Sequence, residues 1–213
     1  MARGALRDHL GRRPRLHRAR HRRRPGARHR PGAGALSAPR LFHFSHDEGI
    51  ESFAPRPMAA RRAPGQEWLN APLVWAIAED RQAMYLFPRD CPRILLWPTP
   101  QTSAADLELW WGARTCRILA HIEWAWLERL RQGSIFRYEM PAGTFEDIGD
   151  AGMWVSRRAV TPIGVERIDD LPGALRAQGV ELRLMESLVA LKGVWATSLH
   201  ASGIRLSNAR DWA

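Results

Sequence analysis

The pattern of apolar and polar residues predicts mostly short strands in the first half of the chain. Residues 41–45 alternate, with Phe42 and Phe44 on one face and Leu41, His43 and Ser45 on the other, which is typical of a strand that buries its aromatic face. Two apolar runs, at 73–77 and 94–97, are short enough to be buried strands. Further strands are predicted at 135–140, 153–156, 160–168 with a break at Pro162, 180–185 and 204–206.

Helices are predicted where apolar residues recur at three- and four-residue steps or where a cap residue begins a turn. Leu119, Ile122, Trp126 and Leu130 form such a stripe, which predicts a helix over 117–131 whose first turn could instead be strand. Two S-x-x-E/D patterns, starting at Ser45 and Ser103, predict further helical turns. The first of these turns is expected to bury two apolar residues, Ile50 and Phe53. Shorter helices are expected at 170–178 and 187–196.

Strands and helices therefore mix without regular βαβ alternation. This order favours an α+β fold with a mixed or antiparallel sheet, in one compact domain over residues 40–213. The sequence contains neither of the glycine-rich phosphate-binding patterns of Rossmann and P-loop proteins, which argues against both classes.

Charge separates the first forty residues from the rest. Residues 1–40 contain 13 arginines and one acid, Asp8, a net charge of 13 − 1 = +12, whereas the remainder has 19 basic and 21 acidic residues, or −2. We expect residues 1–39 to form a disordered extension rich in arginine, proline and glycine. Three interpretations remain open for it: a nucleic-acid-binding arm, a transit peptide, or a segment without selected function that follows from GC-rich codons and a start site assigned too far upstream. The remainder of the chain gives no support to nucleic-acid binding.

The cysteine count and hydropathy predict a cytoplasmic protein. Two cysteines, Cys91 and Cys116, are too few for a disulfide scaffold, and no apolar run approaches the ~18 residues of a membrane helix. Cys91 is also a candidate nucleophile because Arg89 and Arg93 flank it. The residue types that bind zinc occur without a C-x-x-C pair, so no metal is expected.

Three polar segments are candidate binding sites. His43 and Ser45 share a strand face, where an imidazole and a hydroxyl are suited to hydrogen-bond a sugar or an amide. Arg89 and Arg93 lie on a turn stiffened by prolines, which suits phosphate or carboxylate recognition. Trp154 is suited to stack on a planar ligand. The alternatives are structural roles: a core histidine bonded to a carbonyl, an arginine that holds the turn, and a core tryptophan.

Several strings resemble an uncharacterised family of bacterial proteins of unknown function: 41–45 (LFHFS), 74–76 (VWA), 85–93 (YLFPRDCPR) and 152–156 (GMWVS). The layout also resembles, more distantly, the ADP-ribosyltransferase-like fold. That resemblance implies a nucleotide-handling protein using NAD, with His43 gripping the ribose and amide and Tyr85, or else Trp75, stacking on the nicotinamide. It also implies a catalytic glutamate, but the strand at 152–156 has no acid at its head, and Glu139 and Glu166 lie on other strands. A non-catalytic ligand-binding or interaction domain is the alternative.

Overall fold

The computed structural model describes residues 38–57 and 66–212. The strands are β1 (Leu41–Ser45), β2 (Val74–Ala78), β3 (Arg93–Trp97), β4 (Ile118–Glu123), β5 (Ile135–Met140), β6 (Glu146–Asp147), β7 (Met153–Ser156), β8 (Gly164–Ile168), β9 (Val180–Met185) and β10 (His200–Ile204). The α-helices are α1 (Ala104–Asp106), which continues as a π-helical turn over Leu107–Trp111, α2 (Leu127–Gln132) and α3 (Leu171–Ala177). Short 3-10 helices occupy Glu67–Asn70, Glu79–Tyr85, Trp124–Trp126, Ala142–Thr144, Leu188–Ala196 and Leu206–Asn208.

These strands build two sheets. One has the order β6-β7-β2-β1-β5-β8, and all its neighbouring strands are antiparallel. The other has the order β10-β3-β4-β9 and contains one parallel pair, β4 with β9. The predicted α+β class is confirmed, and the described residues belong to one compact unit. The predicted disorder of residues 1–39 concerns a segment that lies, up to residue 37, outside the described residues.

The central strands of the six-stranded sheet have core residues on both faces, whereas β6 and most of β8 are exposed. Phe42 of β1 and Ile77 of β2 join the larger apolar core, which also contains most of β3 and β4. Their neighbours Leu41 and Ala76 belong to a second core on the opposite face. Successive residues of β1 therefore enter different cores, and the face that carries His43 is shielded as well. Trp154 is half-buried against the second core, as its structural interpretation expects.

The helix predicted over 117–131 is wrong in its first half. Ile118–Glu123 is strand β4, with all six residues buried, and α-helical structure begins only at Leu127. The strand pairs with β3 on one side and β9 on the other, so backbone partners on both edges outweigh the helical spacing of its apolar residues. Trp126 is half-buried against the core rather than fully inside it.

The two predicted capping boxes have different outcomes. Ser103 accepts a hydrogen bond from the backbone N–H of Asp106 and begins the predicted helix, which ends at Gly112 with φ of 61°. Ser45 instead accepts from the N–H of Asp47 at 3.1 Å and forms a single turn, so the helical turn predicted there is wrong. Phe53 is nevertheless buried, because it bridges to Val160.

The prediction also misplaces one strand and omits another. The last strand is His200–Ile204 rather than 204–206, and the two-residue strand β6 has no apolar signal in its Glu-Asp sequence. Within the described ranges, no helix has the length and apolar character needed to cross a membrane.

Candidate functional site

The two central strands of the larger sheet separate along their length. β1 and β2 pair only through Leu41 with Ala78 and Phe42 with Ile77, whereas β1 pairs with β5 along all five of its residues. Past Phe42, the backbones of β1 and β2 are no longer paired. There the two strands are joined by the His43 ring, whose Nδ1 lies 2.8 Å from the Trp75 carbonyl oxygen. We call this opening between β1 and β2 the seam.

A cavity of about 70 Å³ occupies the seam. It is lined by residues 42–44 of β1, residues 75–77 of β2, Tyr85 and Met153. Because successive strand residues point to opposite faces, three consecutive residues from each strand place the cavity between the strands rather than on one face of the sheet. An apolar cavity of ~150 Å³ holds a benzene ring, so this one admits a smaller group or the edge of a ring.

His43 is the polar side chain whose geometry the seam fixes best. Nδ1 lies 2.8 Å from the carbonyl oxygen of Trp75, and because a carbonyl only accepts, Nδ1 carries the proton and donates. Burial lowers the pKa of His43, the bond to Trp75 opposes this, and the charges of Arg89 and Arg56 lower the pKa further. The ring is therefore neutral at pH 7, and its Nε2 is a hydrogen-bond acceptor with no partner among the described residues.

Aromatic residues form much of the remaining wall. The Tyr85 ring stacks on Phe44 with centroids 6.1 Å apart and planes 13° apart, and its hydroxyl donates to Met153 Sδ at 3.5 Å. Tyr85 is placed by the 3-10 helix Glu79–Tyr85, which follows β2 directly. The structure thus brings His43 and Tyr85, both predicted as binding residues, to one cavity.

The other three predicted binding residues do not line this cavity. Ser45 is buried, and its hydroxyl holds the turn at Asp47. Arg89 is exposed, and its backbone N–H donates to His46 Nε2 at 3.3 Å.

Arg93 lies in the core instead of at a rim. Its side chain is 3 % exposed and donates to the carbonyls of Met84 and Cys91, at 2.8 and 2.9 Å. Burial lowers the pKa of Arg93 to about 10, so it stays protonated at neutral pH. These contacts match the structural alternative, in which an arginine holds the turn, although the partners are carbonyls and not Asp90.

A sequence profile for a family of unknown function, DUF6886, matches residues 42–209. The chain belongs to this family. No curated protein and no solved structure matches the chain. The prediction of an uncharacterised family is therefore confirmed, and the ADP-ribosyltransferase-like resemblance stays a prediction. The DUF6886 match includes both strands of the seam and Tyr85.

The structure of the DUF6886 domain argues against Cys91 as a nucleophile. Cys91 is fully buried, and burial raises the pKa of its thiol to about 12, more than the charge of Arg93 lowers it. A thiol in that state is not a nucleophile at neutral pH. Over residues 38–57 and 66–212, no three His, Cys, Asp or Glu side chains cluster as a metal site.

The two candidate glutamates are engaged away from the seam. Glu139 receives two hydrogen bonds from Arg40, at 3.1 and 3.0 Å, and Glu166 pairs with Arg137. The described lining of the cavity contains no carboxylate.

The sequence does not reveal the backbone and side-chain partners of His43 and Tyr85 that complete the site. The Trp75 carbonyl and Met153 reach His43 and Tyr85 only through strand pairing, and no local pattern marks either contact. Arg56, whose charge lowers the pKa of His43, was not among the predicted binding residues.

Proposed function

We propose that this domain binds a nucleotide, with NAD as the first candidate, by admitting the amino or carboxamide edge of its ring into the seam. The observation that carries the proposal is the fixed protonation of His43. With Nδ1–H held by the Trp75 carbonyl, Nε2 offers an acceptor to a ligand N–H or O–H group. Purine amino groups and the nicotinamide carboxamide both provide such donors.

The size and walls of the cavity support entry of an edge only. Pockets that enclose a drug-sized ligand measure ~300–1,000 Å³, far more than the 70 Å³ here. The remainder of a nucleotide would thus lie outside the seam. There the Phe44 and Tyr85 rings supply aromatic surface for a planar group.

Binding without group transfer is the form that we propose. Transfer from NAD in the predicted ADP-ribosyltransferase manner would need a carboxylate beside the ribose, and the two candidate glutamates, Glu139 and Glu166, are instead paired with arginines. A non-catalytic nucleotide-binding domain is therefore the preferred interpretation, and fold resemblance alone does not assign a reaction.

Two histidines with the same local geometry allow a matched test. His43 and His121 each place Nδ1 on a backbone carbonyl, that of Trp75 at 2.8 Å and that of Ile94 at 3.3 Å. An asparagine amide can replace the Nδ1–H donor but has no equivalent of Nε2. We expect His43→Asn to weaken nucleotide binding at least tenfold and His121→Asn to leave the affinity unchanged.

The measurement is isothermal titration of the full chain with NAD, AMP and nicotinamide, supported by thermal shift of each free variant. Equal affinity in wild type and His43→Asn would remove His43 from the site. Absence of binding by all three compounds to the wild type would reject the proposed function. Release of nicotinamide from NAD, followed by chromatography, would reject the non-catalytic form.

A further inference from the structure

Two exposed arginines are tethered beside the seam by backbone contacts. Arg56 forms a two-bond bridge with Leu73, N to O at 3.1 Å in both directions, two residues before Trp75. Arg89 is bound through its N–H to the ring of His46, three residues after His43. The backbone of Arg56 is thus held near the β2 side of the His43–Trp75 contact and the backbone of Arg89 near its β1 side.

Neither guanidinium group is neutralised by a residue that the structure describes. Across the part of the chain that the structure describes, Arg56 and Arg89 form no ion pair and no side-chain hydrogen bond. By contrast, Arg40, just before β1, and Arg137, on β5, each pair with a glutamate. Burial lowers the pKa of His43 and the Trp75 bond opposes this, and the positive charges of Arg89 and Arg56 lower the pKa further, so both charges act on a residue of the cavity lining.

The local positive charge of Arg56 and Arg89 contrasts with the negative net charge of the domain. Residues 41–213 have 19 basic and 21 acidic residues, a net charge of −2, so the domain as a whole does not attract anions. Two arginines without an acidic partner among the described residues, whose charges act on a residue of the cavity lining, raise the local positive potential and favour anionic ligands.

We propose that Arg56 and Arg89 form a phosphate-binding rim, so that the ligand of the seam is a phosphorylated nucleotide rather than a nucleoside or free base. This inference rests on the proposed function, and it names the part of the ligand that the cavity is too small to hold. Guanidinium groups present two N–H donors in a fork that matches phosphate oxygens, and both side chains are free to adopt that geometry.

The test compares ligands that differ only in the phosphate. We expect the full chain to bind AMP at least tenfold more tightly than adenosine, and nicotinamide mononucleotide at least tenfold more tightly than its nucleoside, because hydrogen bonds between charged groups are stronger than those between neutral ones. Arg56→Gln and Arg89→Gln should each reduce this preference about tenfold and leave nucleoside affinity within about twofold.

Arg210→Gln provides the charge-matched control. Arg210 is exposed, its side chain pairs with Asp211, and its charge is not among the causes that shift the pKa of His43. We expect it to leave the phosphate preference unchanged. An equal loss of phosphate preference in Arg210→Gln would show that net charge alone causes the effect. That result would overturn the proposed phosphate-binding rim.

The outcomes separate this inference from the function beneath it. Nucleosides that bind as tightly as their nucleotides would overturn the rim while leaving the seam as the base site. Tight binding of inorganic phosphate alone, abolished in Arg56→Gln but unaffected by His43→Asn, would support the rim even if the seam admits no base. Titration at increasing salt should weaken AMP binding and not adenosine binding, as phosphate recognition requires.

Discussion

At the scale of single residues, the described histidines with carbonyl partners are held neutral. His43, which is half-buried, and His121, which is buried, each donate Nδ1–H to a strand carbonyl. For His121, burial lowers the pKa to about 4, with Arg183 and Arg114 lowering it further and the bond to Ile94 and the charge of Glu181 opposing. The same arrangement therefore gives a ligand acceptor in the seam and a purely structural group in the other sheet.

The low pKa of His121 predicts acid sensitivity. The unfolded chain binds a proton at this residue near pH 6.5 and the folded chain only near pH 4, so the contribution to stability is complete above pH 6.5 and is lost as the pH falls to about 4. The expected loss is about 3 kcal/mol, from ~1.36 kcal/mol per pH unit of difference. Urea unfolding of wild type and His121→Asn at pH 7, 5.5 and 4 measures it. A wild-type curve no steeper than that of the variant would contradict the assignment.

At the scale of elements, local patterns predicted β1, β2, β3, β5, β7, β9 and α3 because turn residues bound them or alternation marks them. β4 was mistaken for helix because it is buried on both faces. A strand with no polar face shows no alternation, and the spacing of Leu119, Ile122 and Trp126 then matches a helix by chance. The pairing of strands, which creates the seam, depends on contacts distant in sequence and leaves no local signal.

Two tryptophans provide a test of this revised packing. Trp111 is 5 % exposed at the end of the π-helical turn, whereas Trp126 is half-buried beneath Arg129, whose guanidinium carbon lies 4.9 Å from the ring centroid. We expect Trp111→Ala to lower the free energy of unfolding by about 3–5 kcal/mol and Trp126→Ala by about half as much. Urea titration of both variants decides the order. A larger loss of unfolding free energy in Trp126→Ala than in Trp111→Ala would show that Trp126 is the more deeply packed of the two rings.

Candidate residues were easier to identify than their arrangement. His43 and Tyr85 were predicted from a strand pattern and a family resemblance, and the structure places both at the cavity. Arg93 was predicted as a rim cation for its place in a proline-stiffened turn. Its burial depends on the carbonyls of Met84 and Cys91 turning toward it, which is a tertiary arrangement.

At the scale of the whole molecule, we predict that residues 1–39 add nothing to the stability of the domain. Their charge and proline content leave little to bury, and Arg40, which pairs with Glu79 and Glu139, stays in the shortened chain. Removing residues 1–39 should change the melting temperature by less than about 2 °C, since 1 kcal/mol corresponds to ~2–4 °C at this size.

Arg40→Ala in the shortened chain is the comparison for this truncation. It should lower the melting temperature further, because it removes the arginine that pairs with Glu139 of β5 and with Glu79 of the 3-10 helix Glu79–Tyr85. A fall of ten degrees on truncation alone would show that the basic segment packs on the domain.

The seam also divides the larger sheet into two three-stranded halves, β6-β7-β2 and β1-β5-β8. Within each half, pairing is extensive, with five registered pairs between β1 and β5 and four between β2 and β7, but only two join β1 to β2. A molecule held by both central strands would act as a cross-link between the halves. Its binding free energy would then stabilise the contact between the two halves of the sheet. Slower amide hydrogen exchange along β1 and β2 would report occupancy of the seam.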